Sequence, residues 1–214
     1  MRVVIAGGHG QIALLLERVL ADRGDSPVGI VRNPAHVADV ERTGAEAVVL
    51  DLEHTDADRV AEALRGADAV VFAAGGGPNS GAARKETVDR GAAVLLADAA
   101  ERAGVGRYVM ISAMGTDRAD PDSDDVFQVY LRAKKAADED LMARDLRWTV
   151  VRPGRLTDDP ATGRVQVGTL DRGAVTRADV AAVIAEVLQT DGTVGTAFDL
   201  LAGEQEIQAA LATL

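Results

Sequence analysis

The chain contains no cysteine, which excludes disulfides, thiol nucleophiles and the softest metal ligands. Its three histidines, His9, His36 and His54, lie far apart without metal-ligand spacing, so no metal site is expected. Lysine is almost as scarce. Of 23 basic residues only Lys85, Lys134 and Lys135 are lysines, so arginine is the default cation and each lysine stands out. Positive charge is outweighed altogether: the net charge is −11 and no basic stripe interrupts it, which argues against nucleic-acid or anionic-membrane partners. No apolar run is long enough to cross a membrane. The first strand begins by residue 3, leaving no room for a leader, and a cytoplasmic protein is expected.

What is present is concentrated near the start. Val3, Val4, Ile5 and Ala6 form a short apolar run, β-branched at its first three positions, as in a strand covered on both faces. Gly7, Gly8 and Gly10 follow at once, and Ile12 to Leu20 has helical periodicity. Strand, glycine turn and helix in this order form a dinucleotide-binding turn. One glycine makes the bend, the next lets backbone approach a pyrophosphate, and a small residue, here Ala13, lets the helix pack on the strand. The helix N-terminus offers unpaired N–H groups and a positive dipole end to the phosphates. Gly7, Gly8, His9, Gly10, Gln11 and Ile12 are therefore candidate cofactor-binding residues.

Further strands are predicted at Val28–Val31, Ala47–Leu50, Ala69–Ala73, Arg107–Ile111, Trp148–Val151 and Ala197–Leu200, with Arg164–Gly168 a short extended segment. Helices are predicted from Asn33-Pro34 to about Thr43, over His54–Leu64, Glu86–Ala103 and Tyr130–Arg144, from about Arg177 to Gln189, and over Glu204–Leu214. Strands separated by helices mean parallel pairing with right-handed crossovers. The expected fold is α/β: one Rossmann-like doubly wound parallel sheet of six or seven strands with helices on both faces. Residues 1–214 are expected to form one NAD(P)-binding domain, with a short substrate-side region at about 153–176. Gly75-Gly76-Gly77-Pro78-Asn79 reads as a flexible run. The aspartate-rich segment Asp117–Asp125 reads as an exposed loop that either borders the site or only solvates it.

The second strand ends in Arg32, where an NAD-selective site usually carries an acid. A guanidinium there can hold a 2′-phosphate through two charge-assisted bonds, which favours NADP(H) over NAD(H). Asp51 and Leu52, ending the third strand, are placed to meet the adenine edge, although Asp51 also fits as a cap for the next helix. Ala73, Ala74 and Gly75 would let the middle of the cofactor lie against backbone.

Several segments taken together resemble the atypical short-chain dehydrogenase/reductases, especially the NmrA-like and biliverdin-reductase-B-like NAD(P)-binding proteins. They are Gly-Gly-His-Gly-Gln-Ile-Ala at 7–13, Val88-Asp89 ahead of Leu95–Ala100, Tyr108–Gly115, Tyr130-Leu131-Arg132-Ala133-Lys134, Val151–Thr157 and Thr176–Ala181. The resemblance implies four catalytic positions. Ser112 would hydrogen-bond the substrate oxygen, and Tyr130 would exchange the proton. Lys134 would lower the phenol's pKa and bind the nicotinamide ribose, and Asp89 would stand where related enzymes carry asparagine. Spacing i, i+4 puts Tyr130 and Lys134 on one helix face. Pro153 and Gly154 would present backbone to the nicotinamide carboxamide. The expected activity is NADPH-dependent reduction of a small carbonyl or flavin-like acceptor, with small molecules as the only partners and a monomer or small homo-oligomer as the working state. The alternatives are a non-catalytic NADP(H) redox sensor and an NAD(P)-dependent epimerase or dehydratase. The part after Pro153 is short, with Phe198 its only aromatic, which argues against a nucleotide-sugar substrate.

Overall fold

The computed structural model describes residues 1–77 and 80–214. The Pro78-Asn79 end of the glycine-rich run lies outside the described residues.

The first half alternates as its pattern predicts. β1 (Arg2–Ala6), α1 (Gln11–Asp22), β2 (Ser26–Val31), α2 (Val37–Glu41), β3 (Glu46–Val49), α3 (Ala57–Ala63) and β4 (Ala69–Phe72) follow one another. One long helical element comes next, made of α4 (Ala82–Arg84), a π-helical stretch (Lys85–Ala92) and α5 (Ala93–Ala103). β5 (Arg107–Ile111), α6 (Val126–Met142) and β6 (Arg147–Pro153) complete the central part. The remainder holds β7 (Arg155–Thr157), β8 (Arg164–Gly168), β9 (Ala174–Thr176), α7 (Arg177–Val187), β10 (Thr196–Ala202), β11 (Gln205–Glu206) and α8 (Ile207–Leu211).

The main sheet has the order β11-β8-β10-β6-β5-β4-β1-β2-β3. From β3 across to β10 every pairing is parallel, and the apolar runs of β1, β4 and β5 are buried from end to end. Leu16 and Leu20 of α1 pack with Val180, Val183 and Ile184 of α7 on one face. Val60 of α3, Leu96 of α5 and Leu141 of α6 cover the other. This is the expected doubly wound Rossmann-like arrangement.

The departures have local causes. Two antiparallel strands extend the sheet beyond seven, because β8 pairs with β10 and β11 with β8. The predicted terminal helix is accordingly shortened, its first residues being used as β11. Helix α6 begins at Val126, four residues before Tyr130, since the Asp125 carboxylate caps it by accepting the N–H groups of Phe127 and Gln128. The end of the acidic loop is thus a helix start. Helix α3 begins at Ala57 and not at His54, because Asp56 accepts the Arg59 N–H and caps it there. Asp51 instead closes a turn through the Glu53 N–H.

Three buried polar residues tie elements together. The Arg107 guanidinium donates to the carbonyls of Arg147 and Val187 and to Thr149 Oγ1, so the end of α7 is held to β5 and β6; burial pulls its pKa down to about 10. The Asp179 carboxylate accepts from the N–H groups of Thr162 and Gly163 while Thr176 caps α7 by accepting the Asp179 N–H. The Thr-Arg-Ala-Asp segment therefore anchors the turn between β7 and β8. Glu17, fully buried on α1, lies against the first glycine turn. A Cβ on Gly29 would stand 2.5 Å from its Oε1 and one on Gly8 3.0 Å from it. The Thr43 hydroxyl has one hydrogen, and Val40 O lies 2.6 Å from it, so its 3.2 Å contact with Glu17 is best met by a protonated carboxyl donating. Burial pushes the Glu17 carboxyl up to about 8.

An acid whose folded pKa is raised binds more protons folded than unfolded. Its contribution is intact below the ordinary value of 4.5 and is lost as pH rises through about 8. Glu17→Gln, whose amide still donates to Thr43, should remove a destabilisation of a few kcal/mol over that window, at roughly 1.4 kcal/mol per unit. Urea melts at pH 5 and pH 8.5 check this: wild type should lose more stability between them than the variant does.

Candidate functional site

The C-terminal edge of the parallel sheet is where β1, β2 and β4 release their chains, and the glycine turn sits in the middle of it. Gly7 has φ of 84°, a left-handed conformation that favours glycine, and a Cβ there would lie 2.6 Å from Ala74 Cα. Gly8 donates its N–H to Ile30 O at 2.9 Å and approaches Gly29 so closely that a Cβ would come within 2.6 Å of Gly29 Cα. Gly10 donates to Gly7 O, closing the turn, and serves as the N-cap of α1. Neither a side-chain cap nor an acid in the first turn competes there for the helix N–H groups, so that end is open to an anion. Ala13 is fully buried against the sheet.

A groove of about 270 Å³ runs along this edge. It is lined by Gly7, His9 and Gly10 of the glycine turn, by Arg32 and His36 after β2, by Asp51, Leu52 and Glu53 after β3, and by Ala73, Ala74, Gly75 and Gly76 after β4. Gly8, Gln11 and Ile12 are outside the lining: Gly8 serves packing, Gln11 is exposed and Ile12 rests on the core. His9 and His36 stack with ring centroids 3.6 Å apart, and His9 Nε2 is 2.8 Å from Asp39 Oδ2. Burial, then the neighbouring His9 and Arg32, lowers the pKa of His36.

Two residues here escaped the sequence reading. Glu53 accepts from Arg32 at 3.3 Å, from Arg84 at 2.8 Å and from the Thr87 hydroxyl at 2.7 Å. Arg84, from α4, therefore joins Arg32 in the same part of the groove, and two guanidiniums face one carboxylate. Asp51 is already engaged, accepting from Glu53 N–H and lying 3.0 Å from His54 Nδ1. Burial works against its ionisation, yet these bonds hold its carboxyl below the usual range.

Gly76, which lines the groove, is bonded to the second group. Asp89, on the π-helical stretch, accepts the Gly76 N–H through Oδ2 at 3.0 Å, and its Oδ1 lies 3.7 Å from Lys134 Nζ. Lys134, 3% exposed, donates to Ile111 O at 3.0 Å, one residue before Ser112. Burial pushes its ammonium pKa down, and Asp89 and Asp138 oppose that. The Ser112 hydroxyl is buried beside the Asp138 carboxyl, which it favours in its charged form, and makes no hydrogen bond within 3.5 Å among the described residues. Tyr130 stands one turn before Lys134 on α6, its phenol pushed above the ordinary range by burial and by the negative charges of Asp89 and Asp138. The structure thus brings Ser112, Tyr130, Lys134 and Asp89 together.

Asp138 is a further member that sequence reading missed, although its spacing from Tyr130 and Lys134 (i, i+8 and i, i+4) was a usable signal. It is fully buried and binds Arg152 at 3.0 Å, and burial raises its pKa against the opposing effects of Ser112 and Arg152. Pro153 ends β6 and Gly154 follows it. The Gly154 N–H donates to Leu200 O and the Arg155 N–H to Gly173 O, while Pro153 O already accepts from Met114. These N–H groups are engaged in the strand ladder, while a carbonyl such as Pro153 O keeps a second lone pair.

The strand order, the glycine turn and the open end of α1 define a Rossmann-like dinucleotide-binding architecture. More narrowly, the chain belongs to the NAD(P)H-binding family, whose profile matches residues 7–191. It is 35% identical over 216 residues to a Bacillus subtilis protein named as an uncharacterized sugar epimerase, YhfK, with both chains covered in full. Among solved structures it is similar to a Bacillus halodurans protein described as an NAD-dependent epimerase/dehydratase (36% identity, all of both chains, TM-score 0.93). It is also similar to the oxidoreductase ylbE of Lactococcus lactis (28% identity, 100% of this chain and 96% of that one, TM-score 0.89).

A Cβ at Gly10 would already stand 3.1 Å from Gly7 O. The branches of Gly10→Val should fill the groove and abolish NADPH binding in a fluorescence titration, with the far-ultraviolet circular dichroism of the folded protein retained. An unchanged titration would remove the turn from the site.

Proposed function

We propose that the protein is an NADPH-dependent oxidoreductase of the atypical short-chain dehydrogenase/reductase type, reducing a small carbonyl or flavin-like acceptor. The observation that carries this reading is the convergence of Ser112, Tyr130, Lys134 and Asp89, joined to the groove through the Asp89–Gly76 hydrogen bond. A module that only bound the dinucleotide would have no use for a buried hydroxyl, phenol, ammonium and carboxylate in one place.

The glycine cradle and the open α1 terminus fit a dinucleotide. Gly7, Gly10 and the first turn of α1 would hold its pyrophosphate, and Leu52 with Asp51 would face the adenine. Arg32 and Arg84 bring two guanidiniums to one part of the groove, where Glu53 bonds both and Asp51 lies near Arg32; their fork geometry suits a 2′-phosphate, which supports NADP(H) over NAD(H). When bound, the reduced nicotinamide supplies the hydride. Ser112 holds the acceptor oxygen where negative charge develops. Tyr130 gives that oxygen its proton. Burial and two nearby carboxylates keep the phenol protonated through the neutral range, the state that a donor in the reductive direction needs. Lys134 and Asp89 fix one another at the base of the cluster, and Asp89 also orders Gly76.

The name of the Bacillus subtilis relative favours a second reading, epimerisation, which would use the same hydride and proton groups on a sugar. Oxidation of NADPH by a panel of carbonyls, quinones and flavins, run beside product analysis with nucleotide sugars, separates the two. Tight NADPH binding without turnover of any of them would leave the redox-sensor reading.

Arg32→Ala should weaken NADPH binding by about 1.5–3 kcal/mol, the scale of hydrogen bonds to a charged group, and leave NADH nearly unaffected. Equal calorimetric losses for the two cofactors would show that Arg32 does not read the phosphate. Tyr130→Phe should lower kcat on the best acceptor by ~10²–10⁴-fold with NADPH affinity intact. Wild-type turnover in that variant would mean hydride transfer without a tyrosine proton.

A further inference from the structure

In a chain where arginine is the default cation, two of the three lysines are buried, and both end at the same site. Lys134 belongs to the proposed catalytic group. Lys85, 5% exposed, has no place in it so far. Its Nζ donates to Gly77 O at 2.7 Å and stands 5.2 Å from the centroid of the Tyr130 ring. Four residues further along the same π-helical stretch, Asp89 takes the Gly76 N–H. Two side chains from one helical face therefore grip consecutive residues of the glycine-rich segment, and one of them rests against the phenol.

The charges around Tyr130 come from three elements. Asp89 and Lys85 lie on the π-helical stretch, Lys134 and Asp138 on α6, and Arg152 on β6, bound to Asp138 at 3.0 Å. Both carboxylates oppose a phenolate. Lys134 is turned to Ile111 O and Asp89. The ammonium in contact with the ring is that of Lys85, and a compact ammonium on a flexible stem can meet a single carbonyl and a ring face together.

We propose that Lys85 is a positioning residue for the proton transfer: held by Gly77 O against the Tyr130 ring, it fixes the ring's orientation and offsets the negative charge left on the phenol when the proton goes. This rests on the reading of Tyr130 as the proton donor. It adds a cation from a different helix to the role that the family resemblance gives to Lys134.

The chain has only two tyrosines, which makes a direct test practicable. Tyr108 is fully buried and donates to Ala93 O, and burial pushes its phenol far up, so it serves as an internal reference. Full-length protein with difluorotyrosine, whose phenol is more acidic than that of tyrosine, gives two fluorine NMR signals that Tyr130→Phe assigns. Lys85→Met, and Lys85→Gln, which keeps a donor for Gly77 O without the charge, should each raise the titration midpoint of residue 130 by about one to two pH units. Lys85→Arg should hold it near the wild-type value, and the Tyr108 signal should not move. An unchanged midpoint in the uncharged variants, or a shift that arginine fails to reverse, would overturn the inference while leaving the proton-donor reading intact. Normal turnover by Tyr130→Phe would instead remove the proton-donor reading, whatever the titration shows.

Discussion

Backbone meets backbone at the C-terminal ends of β1, β2 and β4 with no side chain between, and the site depends on that contact. Gly7 lies on Ala74 and Gly8 on Gly29, each at a spacing that excludes even a methyl group. The first turn of α1 can therefore sit low over the sheet, its N–H groups level with the strand ends, and the groove can run past it from Arg32 to Gly76. Glu17 lies under the same contact. A buried carboxyl there is stable only if it keeps its proton, so the tightest part of the fold also holds a group that alkaline pH would charge.

The second half of the site is organised by charge and not by close packing. Lys134 is almost fully buried; burial pushes its pKa down, Asp89 and Asp138 oppose that, and Ile111 O accepts its hydrogen. Those partners belong to the π-helical stretch, to α6 and to β5. No one element makes the site. Arg152 from β6 neutralises Asp138 in turn, and also pairs with Asp117 in the acidic loop at 3.0 Å. That segment is joined to the buried cluster by one ion pair, and its last residue caps α6. It is more than a solubilising loop, because it sets where the helix carrying Tyr130 begins.

The parts of this arrangement written in consecutive residues were legible in advance. The apolar runs of β1, β4 and β5, the glycine turn and the spacing of Tyr130 and Lys134 are local patterns, and local patterns give period and order directly. Partnerships between residues distant in the chain were not. Glu53 meets Arg84 across 31 positions, and Lys85 finds Tyr130 only because α6 packs beside the π-helical stretch. Isolated acids and cations on helices usually mean solvent-facing charge, so nothing in the surrounding sequence marks Lys85 as buried. The partner of the Gly154 N–H is equally distant, since β6 runs to Pro153 and the adjoining N–H goes to Leu200 O of β10.

The π-helical stretch itself constrains how this site can vary. Its eight residues bond with a wider turn than an α-helix, so the side chains ahead of it are rotated relative to α5 by more than a regular helix would allow. Removing one residue from that stretch would improve the helix as a helix. It would also swing Lys85 and Asp89 around the axis relative to the core face of α5, breaking the grip on Gly76 and Gly77 while every side chain remained in the chain. The number of residues between Arg84 and Ala93 therefore matters as much as their identity. Insertions and deletions there would retune the site in a way that no single substitution can reproduce.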